Sequence, residues 1–143
     1  MDIAASTPLD AIDLTSGERF FNRELSWLRF NTRVLEEADN NSHPLLERLR
    51  FLSISAGNLD EFYMVRVAGL KGQLQAGVSS VSADGLTPVQ QLVAINEMAN
   101  ELMEHQQRSW LTIVRALAKE GIVVKSADDL TKRDREWLEA WFM

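Results

Sequence analysis

Few residues of this chain have side chains that could carry out chemistry. His43 and His105 are its only histidines, and neither has a second candidate ligand nearby in sequence. A metal site or a catalytic triad needs several partners in a defined geometry, so we interpret both as surface or helix-cap histidines. The chain has no cysteine, and no Walker loop, Rossmann glycine pattern, HExxH helix or GxSxG elbow occurs in it. The sequence therefore predicts no catalytic residue, no metal ligand and no self-contained active site.

Polar residues suited to chemistry cluster at positions 58–61. Asp60 and Glu61 could form an acid/base pair, but adjacent helical positions point roughly 100° apart. We favour a structural role, in which Asn58 caps a new helix, Glu61 completes a capping box and Asp60 interacts with the helix dipole. The Asn58 amide also places a donor beside an acceptor, which matches the edge of an adenine ring. Spacing alone favours the capping role for Asn58.

Charge and hydropathy restrict the classes of partner. The net charge of -6 argues against nucleic acid or anionic lipid as a general partner, since binding there depends on an excess of Lys and Arg. A basic face on the first two helices could contact polyanions (Arg23, Arg29, Arg33, Arg48 and Arg50). Interspersed glutamates favour a solvated, mixed face instead.

No run of roughly 20 apolar residues and no signal peptide is present, so we expect a cytoplasmic protein without a membrane span. Residues 1–18 have the composition of a disordered tail.

Apolar residues recur every three or four positions over most of the remaining chain, which indicates amphipathic helices. We predict helices over 19–39, 44–56 and 58–75, and a long one that starts at Thr87-Pro88 and runs to Lys119. Gly57 is expected to end the second helix at a sharp corner, with Asn58 starting the third. The aromatic residues on these stripes are expected in the core (Trp27, Phe30, Phe62 and Trp110).

The last part of the chain has a different pattern. Ile122–Val124 is a short β-branched run that could form a strand, and a further helix runs from Leu130 through Trp141. The helix ends in exposed aromatic residues without a C-terminal signal, as expected of a piece of a longer protein. The predicted fold class is all-α: a helical bundle with one long helix over 19–121, followed at 122–143 by the beginning of a second, α/β domain.

Four stretches, in this order, are similar to the bacterial polyphosphate kinases of the first type. They are FNRELSWLRFN (21–31), RVLEEA (33–38), PLLERLRFL (44–52) and NLDEFYMVR (58–66). The resemblance is dense from about residue 20 to residue 69 and looser over the long helix. It implies a helical N-terminal domain, a head domain used in dimer contacts, and C-terminal domains that carry the chemistry.

The resemblance also implies a reaction. These enzymes reversibly transfer the terminal phosphate of ATP to inorganic polyphosphate through a phosphohistidine, with Mg²⁺, and neither His43 nor His105 corresponds to that histidine. The family's ATP-contacting asparagine precedes the Leu-Asp-Glu-Phe-Tyr motif, which places it at Asn58. This chain would then contribute to the adenine site and be inactive alone, within a cytoplasmic homo-oligomer that could associate peripherally with membranes. Gly57 stands where some relatives have a second asparagine, which leaves the local contacts open.

Two other functions are compatible with a sequence that has no recognisable active site. The chain could be a free-standing helical interaction module whose terminal aromatic residues dock a partner. It could also be a nucleotide sensor, which would require ATP affinity without further domains.

Overall fold

The computed structural model describes residues 16–142, apart from the side chain of Glu18. Its α-helices are α1 (Arg23–Asp39), α2 (Leu45–Phe62), α3 (Ala68–Gln75), α4 (Pro88–Lys119) and α5 (Lys132–Phe142). A π turn over Tyr63–Val67 joins α2 to α3, and short 3-10 turns lie at Gly17–Arg19 and Ala127–Asp129. Residues 16–142 contain no β-strand, so the all-α prediction is confirmed for them. The predicted disordered tail lies almost entirely outside the described residues.

Helix α1 begins later than the sequence suggested, because Asn22 caps it. The Asn22 side-chain oxygen accepts hydrogen bonds from the backbone amides of Glu24 and Leu25, at 3.0 and 3.1 Å. These amides have no partner within the helix, so the contact fixes the starting residue. The Asn22 amide also donates to Gln91 on α4 over 3.3 Å, which ties the start of α1 to the long helix.

The core forms where α1, α2 and α4 pack against one another. Each helix buries one stripe of side chains with steps of three or four residues, as an amphipathic helix should. The largest fully buried side chains in these helices are aliphatic, apart from two polar residues in the middle of the core (Leu28, Leu35, Ile95, Ile113, Leu117, Asn31 and Ser55).

The predicted corner at Gly57 is wrong. Gly57 and Asn58 lie inside α2, and the helical backbone continues without a break from Leu45 to Gln75. The buried stripe of α2 runs past Gly57 through Ser55 and Leu59. A helical glycine costs about 1 kcal/mol relative to alanine, which is less than the burial of even one leucine contributes. Packing of the continuous stripe therefore outweighs the local capping signals.

Helix α4 confirms the predicted start and end. Thr87 accepts a hydrogen bond from the Gln90 amide, the Gln90 side chain bonds back to the Thr87 amide, and Pro88 takes the first helical position. The helix then runs for 32 residues to Lys119. It is the element on which both α1 and α2 pack.

Three of the four aromatic residues expected in the core contact it. Phe62 is buried, and Trp27 and Trp110 are half-buried against the core. Phe30 is 59% exposed, so its assignment to the core was wrong. It precedes the buried Asn31 by one residue, and a step of one residue rotates a side chain roughly 100° away from the packed face.

The C-terminal part packs little against the rest. Ile122–Val124 forms no strand, and all three residues are exposed. Helix α5 has no buried residue, although Trp137 and Trp141 stack on each other with ring centroids 5.5 Å apart. The assignment of 122–143 to a second, α/β domain stays a prediction. Among residues 16–142, no helix combines the length and apolar character needed to cross a bilayer.

Candidate functional site

Asn58 does not cap a helix; it faces the junction between α2 and α1. It lies in the last third of α2 and is half-buried. Its side-chain nitrogen donates to the Asn31 side-chain oxygen over 3.2 Å. Since Asn58 is no N-cap, the capping-box role predicted for Glu61 and the dipole role predicted for Asp60 are wrong as well. Both carboxylates are exposed, and neither forms an ion pair within residues 16–142.

Asn31 connects Asn58 to a polar network in the core. Asn31 is fully buried, and its side-chain nitrogen donates to the backbone carbonyl of Ser55 over 2.9 Å. The Ser55 hydroxyl in turn accepts from the Gln106 side chain of α4 over 3.0 Å. No buried side-chain nitrogen or oxygen among the described residues lacks a partner, so every buried polar atom of this network is hydrogen-bonded. Such networks fix one arrangement of the groups they join.

Sequence reasoning identified neither Asn31 nor Ser55. The only local signal was an amide in the buried stripe of α1, between Leu28 and Leu35. A polar residue in such a stripe needs a partner, because an unpaired buried amide is strongly disfavoured. The partner itself lies 27 residues away along the chain, at Asn58.

Asn58 lies in a cleft of about 310 Å³ between α1 and the α2–π segment. Trp27 and Phe62 form one side, with rings stacked at 4.8 Å between centroids and inclined by 13°. Phe30 and Arg66 line the cleft from opposite elements, and the outer parts of both are exposed. We call this space, lined also by Glu61 and Val65, the Asn58 cleft. It combines an amide, aromatic surface and charge of both signs.

The π turn shapes the rim of this cleft. The amide of Ala68 bonds to the carbonyl of Tyr63, five residues back instead of four. The wider turn brings Val67 onto the same buried face as Phe62, with both at 2% exposure. Met64, Val65 and Arg66 are left facing outwards. π turns inside α-helices occur frequently at functional sites.

Arg66 is a cation that the rest of the described chain leaves available. Its side chain makes no ion pair or hydrogen bond within residues 16–142. Arg48, by contrast, donates to the Ala38 carbonyl over 2.7 Å and to Asn41, and Arg50 pairs with Glu47. Two of the five arginines on the first two helices are therefore used in structural contacts, one of them with a glutamate, which agrees with a mixed face.

Each of the two histidines contacts a carboxylate of α1. His43 lies 2.6 Å from a Glu37 carboxylate oxygen, and this hydrogen bond is the main reason that the pKa of Glu37 is lowered. His105 of α4 contacts Asp39 at 2.6 Å, and Ser109 donates to the same carboxylate. Residues 16–142 hold no group of three or more His, Asp or Glu side chains placed to bind a metal ion.

Comparison with known proteins identifies the family. Residues 20–125 match the family described as the polyphosphate kinase N-terminal domain. The chain belongs to the polyphosphate kinase N-terminal domain family. No solved structure gives a significant match.

Curated relatives of this chain are named polyphosphate kinase. The chain is 54% identical over 126 residues to the polyphosphate kinase of Erythrobacter litoralis (strain HTCC2594), a match that covers 88% of this chain and 18% of the relative. It is 52% identical over 139 residues to that of Mycobacterium avium (strain 104), covering 96% of this chain and 19% of the relative. For Mycobacterium tuberculosis (strain CDC 1551 / Oshkosh) the identity is 49% with the same coverage. The chain thus spans less than a fifth of the length of these polyphosphate kinases.

In this polyphosphate kinase N-terminal domain, the Asn58 cleft is built from two of the stretches that carry the resemblance. Trp27 and Phe30 come from the stretch 21–31, and Asn58, Phe62 and Arg66 from the stretch 58–66. The two stretches are distant in sequence, and the packing of α1 against α2 brings them together.

Proposed function

We propose that this chain is the part of a polyphosphate kinase that forms one wall of the ATP adenine site, with Asn58 as the residue that contacts the base. The enzyme would reversibly transfer the terminal phosphate of ATP to inorganic polyphosphate through a phosphohistidine outside this chain. One observation supports this most strongly. Asn58 lines a cleft, and its side-chain oxygen has no hydrogen-bond partner within residues 16–142.

The chemistry of the amide suits an adenine edge. One Asn58 N–H donates to Asn31, which leaves a second N–H and the side-chain oxygen. An amide in that state can accept from the adenine amino group and donate to a ring nitrogen, as Asn does when it reads adenine in DNA. The exposed ring of Phe30 beside it offers a surface on which a base can stack.

The cleft is too small to enclose ATP alone. Its volume of about 310 Å³ lies at the lower end for ligand sites, which usually bury most of the ligand surface. The triphosphate and the remaining faces of the base would then be held by other parts of the enzyme. We therefore expect the isolated chain to bind ATP weakly and to be inactive.

The described residues offer no substitute for the catalytic groups. Both histidines are held by carboxylates within the bundle. We propose that the phosphorylated histidine, the Mg²⁺ ligands, the polyphosphate contacts and the surfaces for homo-oligomer formation belong to the remainder of the enzyme.

The test is Asn58→Ala in the complete enzyme. We expect the KM for ATP to rise roughly tenfold, since a bidentate contact between Asn and adenine contributes about 1–3 kcal/mol of discrimination. The turnover number should change much less, because the interaction exists before the transition state. Asn100→Ala is the matched control, since Asn100 is an exposed asparagine on α4 without a side-chain hydrogen bond in the described chain. An unchanged KM for ATP in Asn58→Ala would contradict the proposal.

A free-standing interaction module is the second candidate. The exposed pair of Trp137 and Trp141, with Phe142 beside it, could dock a partner protein. An antibody raised against this chain separates the two functions in lysate of the source organism. A native product several times heavier than 16.2 kDa supports the enzyme, and one near that mass supports the module.

A further inference from the structure

The hydrogen bonds around Asn31 all point inwards: Asn58 donates to Asn31, and Asn31 donates to the backbone carbonyl of Ser55. We propose that Asn31 fixes which end of the Asn58 amide faces the cleft and thereby selects adenine over guanine. Asn31 acts as a positioning residue, since it is fully buried and has no contact with the cleft except through Asn58. This inference rests on the proposed function of Asn58.

The direction is set at Ser55. A backbone carbonyl can only accept, so Asn31 must turn its nitrogen towards the Ser55 carbonyl, 2.9 Å away. The Asn31 oxygen then faces Asn58, and an oxygen there also only accepts. Asn58 must therefore turn its own nitrogen inwards, as the 3.2 Å contact shows, and its oxygen away from Asn31.

Neither amide can reverse alone. Reversing Asn58 would place its oxygen against the Asn31 oxygen, and reversing Asn31 would place an oxygen against the Ser55 carbonyl. Each reversal leaves a buried acceptor without a donor, which is strongly disfavoured. Because Asn31 is fully buried, water cannot supply the missing donor.

An Asn58 oxygen fixed in this orientation discriminates between purines by the substituent at position 6. An outward oxygen accepts from the amino group of adenine, whereas the oxo group of guanine would oppose it with a second acceptor. Specificity of this kind combines one attractive contact with one repulsive contact. An Asn58 amide that could rotate freely would satisfy either base.

The first experiment measures kcat/KM for ATP and for GTP in the complete enzyme. Asn31→Leu, which removes the acceptor opposite Asn58, should lower the preference for ATP about tenfold, equivalent to about 1.4 kcal/mol. Ser55→Ala is the matched control, because it removes the bond to Gln106 but keeps the carbonyl that orients Asn31. It should be less stable than wild type yet retain the full preference for ATP. An unchanged preference in folded Asn31→Leu would overturn the proposal.

A second experiment uses the wild-type enzyme and does not depend on folding of the Leu variant. Inosine triphosphate carries an oxo group at position 6, and purine riboside triphosphate carries only hydrogen there. We expect the inosine compound to be the poorer substrate, because its oxo group meets the Asn58 oxygen, and we expect Asn58→Ala to abolish the difference. Equal kcat/KM values for the two analogues in wild type would overturn the proposal.

The role of Asn58 in ATP binding and the role of Asn31 in base selectivity can be disproved separately. If Asn58→Ala leaves the KM for ATP unchanged, the proposed function is wrong and the selectivity inference with it. If that KM rises but selectivity does not respond to Asn31→Leu or to the analogues, only the role of Asn31 is wrong.

Discussion

Phe62 and Val67 are five residues apart, and both are buried on the same side of a continuous helix. In a regular α-helix, side chains five residues apart point in clearly different directions. The π turn over Tyr63–Val67 removes this conflict, because it contains one extra residue. That extra residue also pushes Met64, Val65 and Arg66 outwards, and two of these line the Asn58 cleft.

Deleting Met64 tests this account of the π turn. Without that residue, Phe62 and Val67 become four apart, and a regular α-helix buries both. We expect the free energy of unfolding in denaturant to change little, while the rim at Arg66 shifts and the KM of the complete enzyme for ATP rises. Deletion of Ser53, another exposed residue of the same helix, is the control. It should destabilise strongly because it rotates Leu45 and Leu49 away from the core; equal losses in both variants would contradict the account.

The capping box of α4 should make a measurable contribution to stability. Thr87→Ala removes the side-chain acceptor for the Gln90 amide, 3.3 Å away, and should cost about 1 kcal/mol in chemical denaturation. Thr112→Ala is the matched control on the same helix. Thr112 is exposed and bonds only to the carbonyl of Arg108 in its own helix, so alanine there should be neutral or slightly stabilising. The prediction is wrong if both variants lose the same stability.

The start of α5 carries a carboxylate with a strongly altered titration. A hydrogen bond from Lys125, with further bonds from Thr131, lowers the pKa of Asp134 from 3.8 to about 2. Because the folded pKa is depressed, the contact stabilises the fold above pH 3.8 and is lost as the pH falls towards about 2. The contribution is small, since the pair lies at the surface.

The titration of Asp134 can be followed by NMR of its carboxyl carbon. Lys125→Met should raise the pKa of Asp134 towards its ordinary value, because it removes the largest cause of the shift. Lys119→Met, which removes another exposed lysine with no contact to Asp134, should leave the titration unchanged. A wild-type Asp134 that titrates at its ordinary pKa would refute the contact.

Local signals sufficed to predict some elements of the fold. Thr87, Pro88 and Gln90 lie within four residues of one another and specify the start of α4, and the structure agrees. At Gly57, similarly local signals gave a wrong corner. There the burial of a stripe that spans the whole of α2 outweighs a helix cap, and only the packed structure reveals that balance.

The candidate site could be predicted only in part. Asn58 could be identified because its motif resembles a known family, and its amide chemistry suits a base. Its contact with Asn31 could not, since the two residues are 27 positions apart and belong to different helices. The π turn was missed for a related reason, because a regular helix was assumed between Phe62 and Val67. The need for an extra residue becomes evident only once both side chains are known to be buried.

The most direct test of the central claim is to find where the adenine ring lies. The complete enzyme would be irradiated with an ATP analogue that carries an azide on the adenine ring, and the labelled peptides identified by mass spectrometry. We expect label in the stretches 21–31 and 58–66, prevented by excess ATP and reduced in Asn58→Ala. Label found only elsewhere in the enzyme, with none on these two stretches, would contradict the assignment of the Asn58 cleft to the adenine site.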